Sequence, residues 1–139
     1  MRKLILLVED DYIDAISFER SLKKLNVNHE VHIARNGRDA LDMLQGKGAE
    51  SLPGMPDLVV LDLNMPKMSG LEFLEAIRDD HHLRDLKVYV TSTTNDEEDA
   101  TAAKKLGVSG FIIKPLNFDG KGSKKSSLDN FSLMLELLK

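Results

Sequence analysis

Asp62 closes an apolar run, Leu58-Val59-Val60-Leu61, and opens the segment Asp62-Leu63-Asn64-Met65-Pro66. Such a run reads as a strand buried on both faces. An ionised carboxylate beside a dry core is costly unless something pairs with it. Asp62 therefore marks a site at the end of a strand. Glu9-Asp10-Asp11 ends a second apolar run, Leu4 to Val8, in the same way. Two further runs end in polar residues, at Thr91-Ser92 and at Lys114-Pro115.

If these strand ends align, Glu9, Asp10 and Asp62 meet. Three carboxylates at close range repel, so one takes up a proton or a cation sits among them. Hard divalent ions prefer oxygen ligands, and Mg²⁺ keeps several waters while using one or two carboxylates. The plain alternative is a protonated acid with no metal. The third acid and a neighbouring Lys favour the metal. A metal-bound carboxylate flanked by a cation can attack a phosphoryl group. In that chemistry Asp62 is the nucleophile, Mg²⁺ and the Lys114 ammonium neutralise the transferring oxygens, and the Ser92 hydroxyl donates a hydrogen bond to one of them.

The elements that must hold these residues follow from periodicity. Leu4 to Val8 reads as a buried strand. Ala15, Phe18, Leu22 and Leu25 recur at helical spacing. Val31 to Ala34 is a second strand, and Asn36 starts a helix with Ala40, Leu41 and Leu44 inward. Residues 46–57 hold three Gly and two Pro and read as a loop insertion. Leu58 to Asp62 is the third strand. Ser69-Gly70 opens a helix carrying Leu71, Leu74 and Ile77. Leu86 to Ser92 is the fourth strand. Asn95 to Leu106 is a helix with four acidic residues in its first turns, which suits the positive end of its dipole. Gly107 ends it. Phe111 to Ile113 is the fifth strand, and Leu128, Phe131, Leu135 and Leu138 mark a last helix. Five β-α units joined by crossovers imply a parallel sheet with helices on both sides. Ligands bind such sheets beyond the carboxyl ends of the strands.

Composition agrees with one α/β domain. The chain has 139 residues, enough for a single core. A net charge of −4 argues against nucleic-acid binding, which relies on clustered Lys and Arg. With no Cys, disulfides and thiolate metal sites are excluded and nothing suggests secretion. Met1-Arg2-Lys3 before an apolar run faintly resembles a signal peptide, but the run is too short and acids follow at once. No apolar stretch could span a bilayer, so a cytoplasmic location without a membrane partner is expected.

Four segments in order, LILLVEDD, PDLVVLDLNMPKMSGLEFL, VYVTSTTNDEED and GVSGFIIKP, resemble the response-regulator receiver domain of two-component signalling. They run from Leu4 to about Leu116. The resemblance implies a flavodoxin-like (βα)5 three-layer sandwich with strand order 2-1-3-4-5, and a single receiver domain over 1–139. It makes Asp62 the phosphoacceptor, Asp10 a direct Mg²⁺ ligand, Glu9 a ligand acting mostly through water and Asn64 a ligand through its backbone carbonyl. Lys114 then pairs with the phosphoryl group, and Pro115 follows it through a cis bond. Ser92 is the switch hydroxyl and Phe111 the switch aromatic. Asn64 and Thr94 flank the path of the hydrolytic water. The insert before Asp57 further resembles stand-alone regulators of the phytochrome-associated type. Implied partners are a histidine kinase or phosphotransfer protein and a downstream protein. The family's face of fourth helix, fifth strand and fifth helix also mediates homodimers. The chain departs from the family at 117–127, a Gly/Ser/Lys-rich loop before the last helix.

Other readings are weaker. Asp62-Leu63-Asn64 could begin a calcium loop, but Lys67 stands where Gly is required. His81-His82, beside Asp79-Asp80, reads as a solvated helix end, and His29 and His32 as strand surface. The Lys121, Lys124 and Lys125 cluster reads as solvated loop. An aspartate-nucleophile phosphohydrolase needs a second acid two residues after the nucleophile, and Asn64 stands there. A flavin carrier would offer amides and hydroxyls to a phosphate, where Glu9-Asp10-Asp11 offers negative charge.

Overall fold

The computed structural model describes residues 3–24, 29–47, 52–63, 69–92 and 97–113. Among these residues five strands alternate with four helices: β1 Lys3–Val8, α1 Tyr12–Lys24, β2 His29–Ala34, α2 Gly37–Leu44, β3 Leu58–Asp62, α3 Gly70–Asp79, β4 Val88–Ser92, α4 Glu97–Lys105 and β5 Gly110–Ile113. The strands form one parallel sheet in the order β2-β1-β3-β4-β5. Asn64, Thr94, Lys114, Pro115, the loop at 117–127 and the last helix expected from Leu128 to Leu138 lie outside the described residues.

The apolar runs are buried as continuous strands. All five residues of β3 and all five of β4 are buried, as expected for strands covered on both faces. Alternation divides the core into two layers. Ile5, Leu7, Leu58, Val60 and Tyr89 pack with Ala15, Phe18 and Leu22 of α1. Leu6, Val8, Val59, Leu61, Val88 and Val90 pack with the helices of the other side, against Leu41, Phe73, Leu74, Ile77 and Ala103. The sheet therefore lies between two helical layers. Of the inward residues expected from helical spacing, Ala40, Leu41, Leu74 and Ile77 are buried, whereas Leu44 and Leu71 are only partly so. Met43 and Phe73 complete the same faces.

Helix ends are specified locally. Asn36 caps α2, its side chain accepting from Asp39 N at 2.8 Å. Ser69 caps α3 by accepting from Glu72 N at 3.3 Å. Beyond α4, Gly107 takes φ 77°, the left-handed conformation that glycine adopts cheaply.

β1 and β5 each begin one residue earlier than expected, and two strands shift by two residues at their starts. β2 begins at His29 rather than Val31, because Lys3 to Val8 of β1 pairs along its whole length. β4 begins at Val88 rather than Leu86, because residues 80–86 form turns closed by Leu83 N to Asp80 O and Leu86 N to Leu83 O. Arg78, in the last turn of α3, secures this end of the sheet. It donates to Leu106 O at 2.6 Å, Arg84 O at 2.8 Å, Leu86 O at 2.9 Å and Gly107 O at 3.2 Å. Burial lowers the Arg78 pKa from its usual value, and the charge of Asp85 acts in the opposite sense. His81 and His82 are exposed in the turn that follows α3.

Candidate functional site

The site lies at the carboxyl edge of the sheet, where β1 and β3 end side by side. Val8 is in register with Leu61, so the next residues on the two strands are Glu9 and Asp62. Glu9 N donates to Ala34 O at 2.9 Å, which carries the strand ladder one residue beyond β1. By alternation Glu9 follows Ile5 and Leu7, and Asp62 follows Leu58 and Val60, onto the face covered by α1. Glu9 and Asp62 are buried, at 2% and 1% exposure, while Asp10 is exposed. Ligand oxygens from Glu9, Asp10 and Asp62 all lie within 4.8 Å of one another.

The third acid of the first run has another task. Asp11 Oδ1 accepts from Ile13 N at 2.9 Å and Asp14 N at 3.2 Å, and Asp11 O accepts from Ala15 N at 3.0 Å. Asp11 is thus the cap of α1. The adjacent Asp11 N donates to Glu9 Oε1 at 3.1 Å, which ties the start of the helix to the acidic cluster. Adjacent acids in one run therefore divide between fold and site.

Asp62 is held from below by a glycine. A Cβ on Gly70 would lie 2.5 Å from Asp62 O and 2.6 Å from Leu63 Cα. Only a residue without a side chain lets α3 start this close to the end of β3. Gly70 N also donates to Leu63 O at 3.4 Å, and Leu63 N to Thr91 O at 3.1 Å. The carbonyl of the expected nucleophile is thus in van der Waals contact with the first turn of α3. From the sequence Gly70 reads only as a helix start, because the close approach is a tertiary contact.

On β4 the position in register with Asp62 belongs to Thr91, not Ser92. Ser92 lies one residue further on, buried, paired with Ile113 immediately before Lys114. Alternation puts Thr91 on the Asp62 face and Ser92 on the face of Val88 and Val90. Phe111 is partly buried and packs against the layer that includes Phe73 and Ala103. Of the expected site residues, Glu9, Asp10 and Asp62 converge, Ser92 ends the neighbouring strand on the opposite face, Phe111 packs in the core layer of that face, and Asn64 and Lys114 are outside the described residues.

Among the described residues no helix is long and apolar enough to cross a membrane. Buried like charges at the carboxyl edge of a parallel sheet suit a divalent ion and a phosphoryl group. Comparison with known proteins agrees. Residues 5–120 match the family model described as response regulator receiver domain. The chain is 34% identical over 131 residues to response regulator Rcp1 of Synechocystis sp., covering 94% of this chain and 89% of that protein. The Mn²⁺-bound structure of Rcp1 superposes with a TM-score of 0.77 at 33% identity, over 91% of this chain and 87% of that one. The bacteriophytochrome response regulator AtBRR superposes with a TM-score of 0.81 at 32% identity, over 99% and 93%. Phosphorylated RcpA, a cyanobacterial phytochrome response regulator, gives 0.78 at 31% identity, over 99% and 91%. With its strand order, its acidic edge and a family match over most of its length, this chain belongs to the response regulator receiver domains.

Proposed function

We propose that Asp62 accepts a phosphoryl group from a phosphohistidine donor and that the acyl phosphate switches the domain's affinity for a protein partner. The observation that carries this reading is the convergence of the Glu9, Asp10 and Asp62 oxygens within 4.8 Å at the carboxyl edge. In the transfer the donor's N–P bond breaks, an Asp62 Oδ–P bond forms, and the imidazole leaves with a proton from solvent. Hydrolysis then places a water oxygen on phosphorus and returns the Asp62 carboxylate and inorganic phosphate.

The donor set fits a hard divalent ion, because it gathers the oxygens of three carboxyl groups in a small space. Asp10, Asp62 and the backbone carbonyl of Asn64 would hold the ion directly, and Glu9 mostly through water. Mg²⁺, when bound, neutralises charge on the transferring oxygens. The Mn²⁺-bound form of Rcp1 supports a divalent ion in this family, and the cell's abundant hard ion is Mg²⁺. Lys114 pairs with the phosphoryl group, Ser92 donates to it, and Phe111 follows the movement of Ser92. Asn64, rather than an acid, stands two residues after Asp62, so self-dephosphorylation is slow and the chain is a switch rather than a phosphatase.

The donor is a histidine kinase or phosphotransfer protein in the cytoplasm. Tyr12 and Ile13, 74% and 73% exposed in the first turn of α1, give it an apolar foothold beside the pocket. The acyl phosphate adds charge near −2. It shifts a two-state equilibrium by about 1–3 kcal/mol, enough to change affinity for a downstream protein, or for a second copy of the chain, several-fold to a hundredfold.

The test is incubation with Mg²⁺ and acetyl phosphate, followed by intact mass. One labile phosphoryl per chain is expected, absent in Asp62→Asn and in excess chelator. Equal labelling of Asp62→Asn would refute the assignment. Repeating the reaction with Mn²⁺ ranks the two ions.

A further inference from the structure

Glu9, Asp62 and Thr91 form a row across β1, β3 and β4 on the face of the sheet covered by α1. Side chains in register on adjacent parallel strands point the same way from backbones about 5 Å apart. The Thr91 side chain is thus the in-register neighbour of the Asp62 side chain. Thr91 is 1% exposed, and among the described residues its Oγ1 has no hydrogen-bond partner. A buried hydroxyl without a partner is destabilising, and Val would fill the same space without that cost. The position therefore carries a polar group that the described fold leaves unused. Ser92, assigned above to the switch, is the next residue and alternates to the other face.

We propose that Thr91 is a positioning residue for phosphorylated Asp62. Its hydroxyl, idle in this state, rotates about χ1 and donates to the Asp62 carboxyl oxygen that does not carry phosphorus. Loading thus satisfies a group that is orphaned beforehand, and part of the orphan's cost is converted into preference for the loaded form. The inference rests on Asp62 being the phosphoacceptor.

The test uses the full chain, Mg²⁺ and beryllofluoride, a phosphoryl mimic, with wild type, Thr91→Val, Thr91→Ser and Asp62→Asn. Affinity is measured by titration and stability by thermal melting without beryllofluoride. Thr91→Val is expected to melt higher than wild type yet bind beryllofluoride about tenfold more weakly, as for the loss of one hydrogen bond to a strongly polar acceptor. Thr91→Ser restores the affinity. A hydroxyl with only a structural role moves melting alone, so unchanged affinity in Thr91→Val overturns the inference. Weakened affinity that Thr91→Ser fails to restore overturns it as well. Equal binding by wild type and Asp62→Asn instead overturns the Asp62 reading beneath it.

Discussion

At the amino edge of the sheet, Arg78 lies partly buried with its guanidinium on four carbonyl oxygens, from Arg84, Leu86, Leu106 and Gly107. At the carboxyl edge, Glu9 and Asp62 are buried more deeply, and they share their space with Asp10, a charge of the same sign. One guanidinium meets carbonyls of the turn before β4 and of the end of α4, which carry partial negative charge. It joins three segments and its effect is complete within the chain. Gathering carboxylates does the reverse: each raises the cost of its neighbours. Charge matched to the fold serves stability, and charge set against itself at a strand edge serves a ligand.

Four substitutions break or sharpen that contrast. Asp62→Asn should abolish phosphoryl incorporation and, without Mg²⁺, stabilise the domain by about 1 kcal/mol, since removing a charge from a like-charged site relieves repulsion. Urea unfolding in chelator reads this; a loss of stability would contradict the electrostatic account. Arg78→Leu should destabilise by about 2–4 kcal/mol, because charge-assisted hydrogen bonds to several carbonyls are lost together. Its rate of labelling by acetyl phosphate should hold near wild type below the melting transition. A large fall in that rate would mean that the two edges are coupled.

Gly70→Ala sits between the two cases. The added Cβ would meet backbone at Asp62 and Leu63, which cannot move aside like a side-chain tip. Overpacking of this kind costs about 1–3 kcal/mol. Because the backbone displaced is that of Asp62, Mg²⁺ affinity and labelling should fall more than in a variant of equal stability made elsewhere. Calorimetric titration of both variants with Mg²⁺ decides the point. The smallest effect concerns Tyr89, whose pKa burial raises above its ordinary value of 10. A folded-state pKa above the unfolded one leaves stability whole below pH 10 and erodes it as pH rises through the folded value. Tyr89→Phe should therefore lose less stability than wild type between pH 9 and pH 11 (a window of about one unit either side), and parallel curves would refute the burial effect.

Much of this architecture is legible along the chain. β3 spans Leu58 to Asp62 as the apolar run implies, because a strand buried on both faces leaves an unbroken signature. α1 and α3 announce themselves through Phe18, Leu22, Leu74 and Ile77 at helical spacing, and each of these is buried. The caps Asn36 and Ser69 and the stop at Gly107 are local chemistry and stand where their residue types put them. The misplaced starts of β2 and β4 have one origin. Where a strand begins depends on a partner's length or on a competing turn, and neither is written in the strand itself.

By itself the sequence determined which residues have the chemistry: acids after two apolar runs, hydroxyls after a third, and the alternation of strand and helix that brings strand ends to one edge. Crossover sterics make that outcome nearly obligatory once the elements form. The strand ends implied that Glu9 and Asp10 join Asp62, and the structure brings these acids together while adding that Asp11 caps α1. Only the tertiary structure decided the rest: register alone made Thr91 rather than Ser92 the direct neighbour of Asp62, and close packing alone made Gly70 the support of its carbonyl. Register and packing are set by contacts between residues far apart in the chain, so no local pattern encodes them.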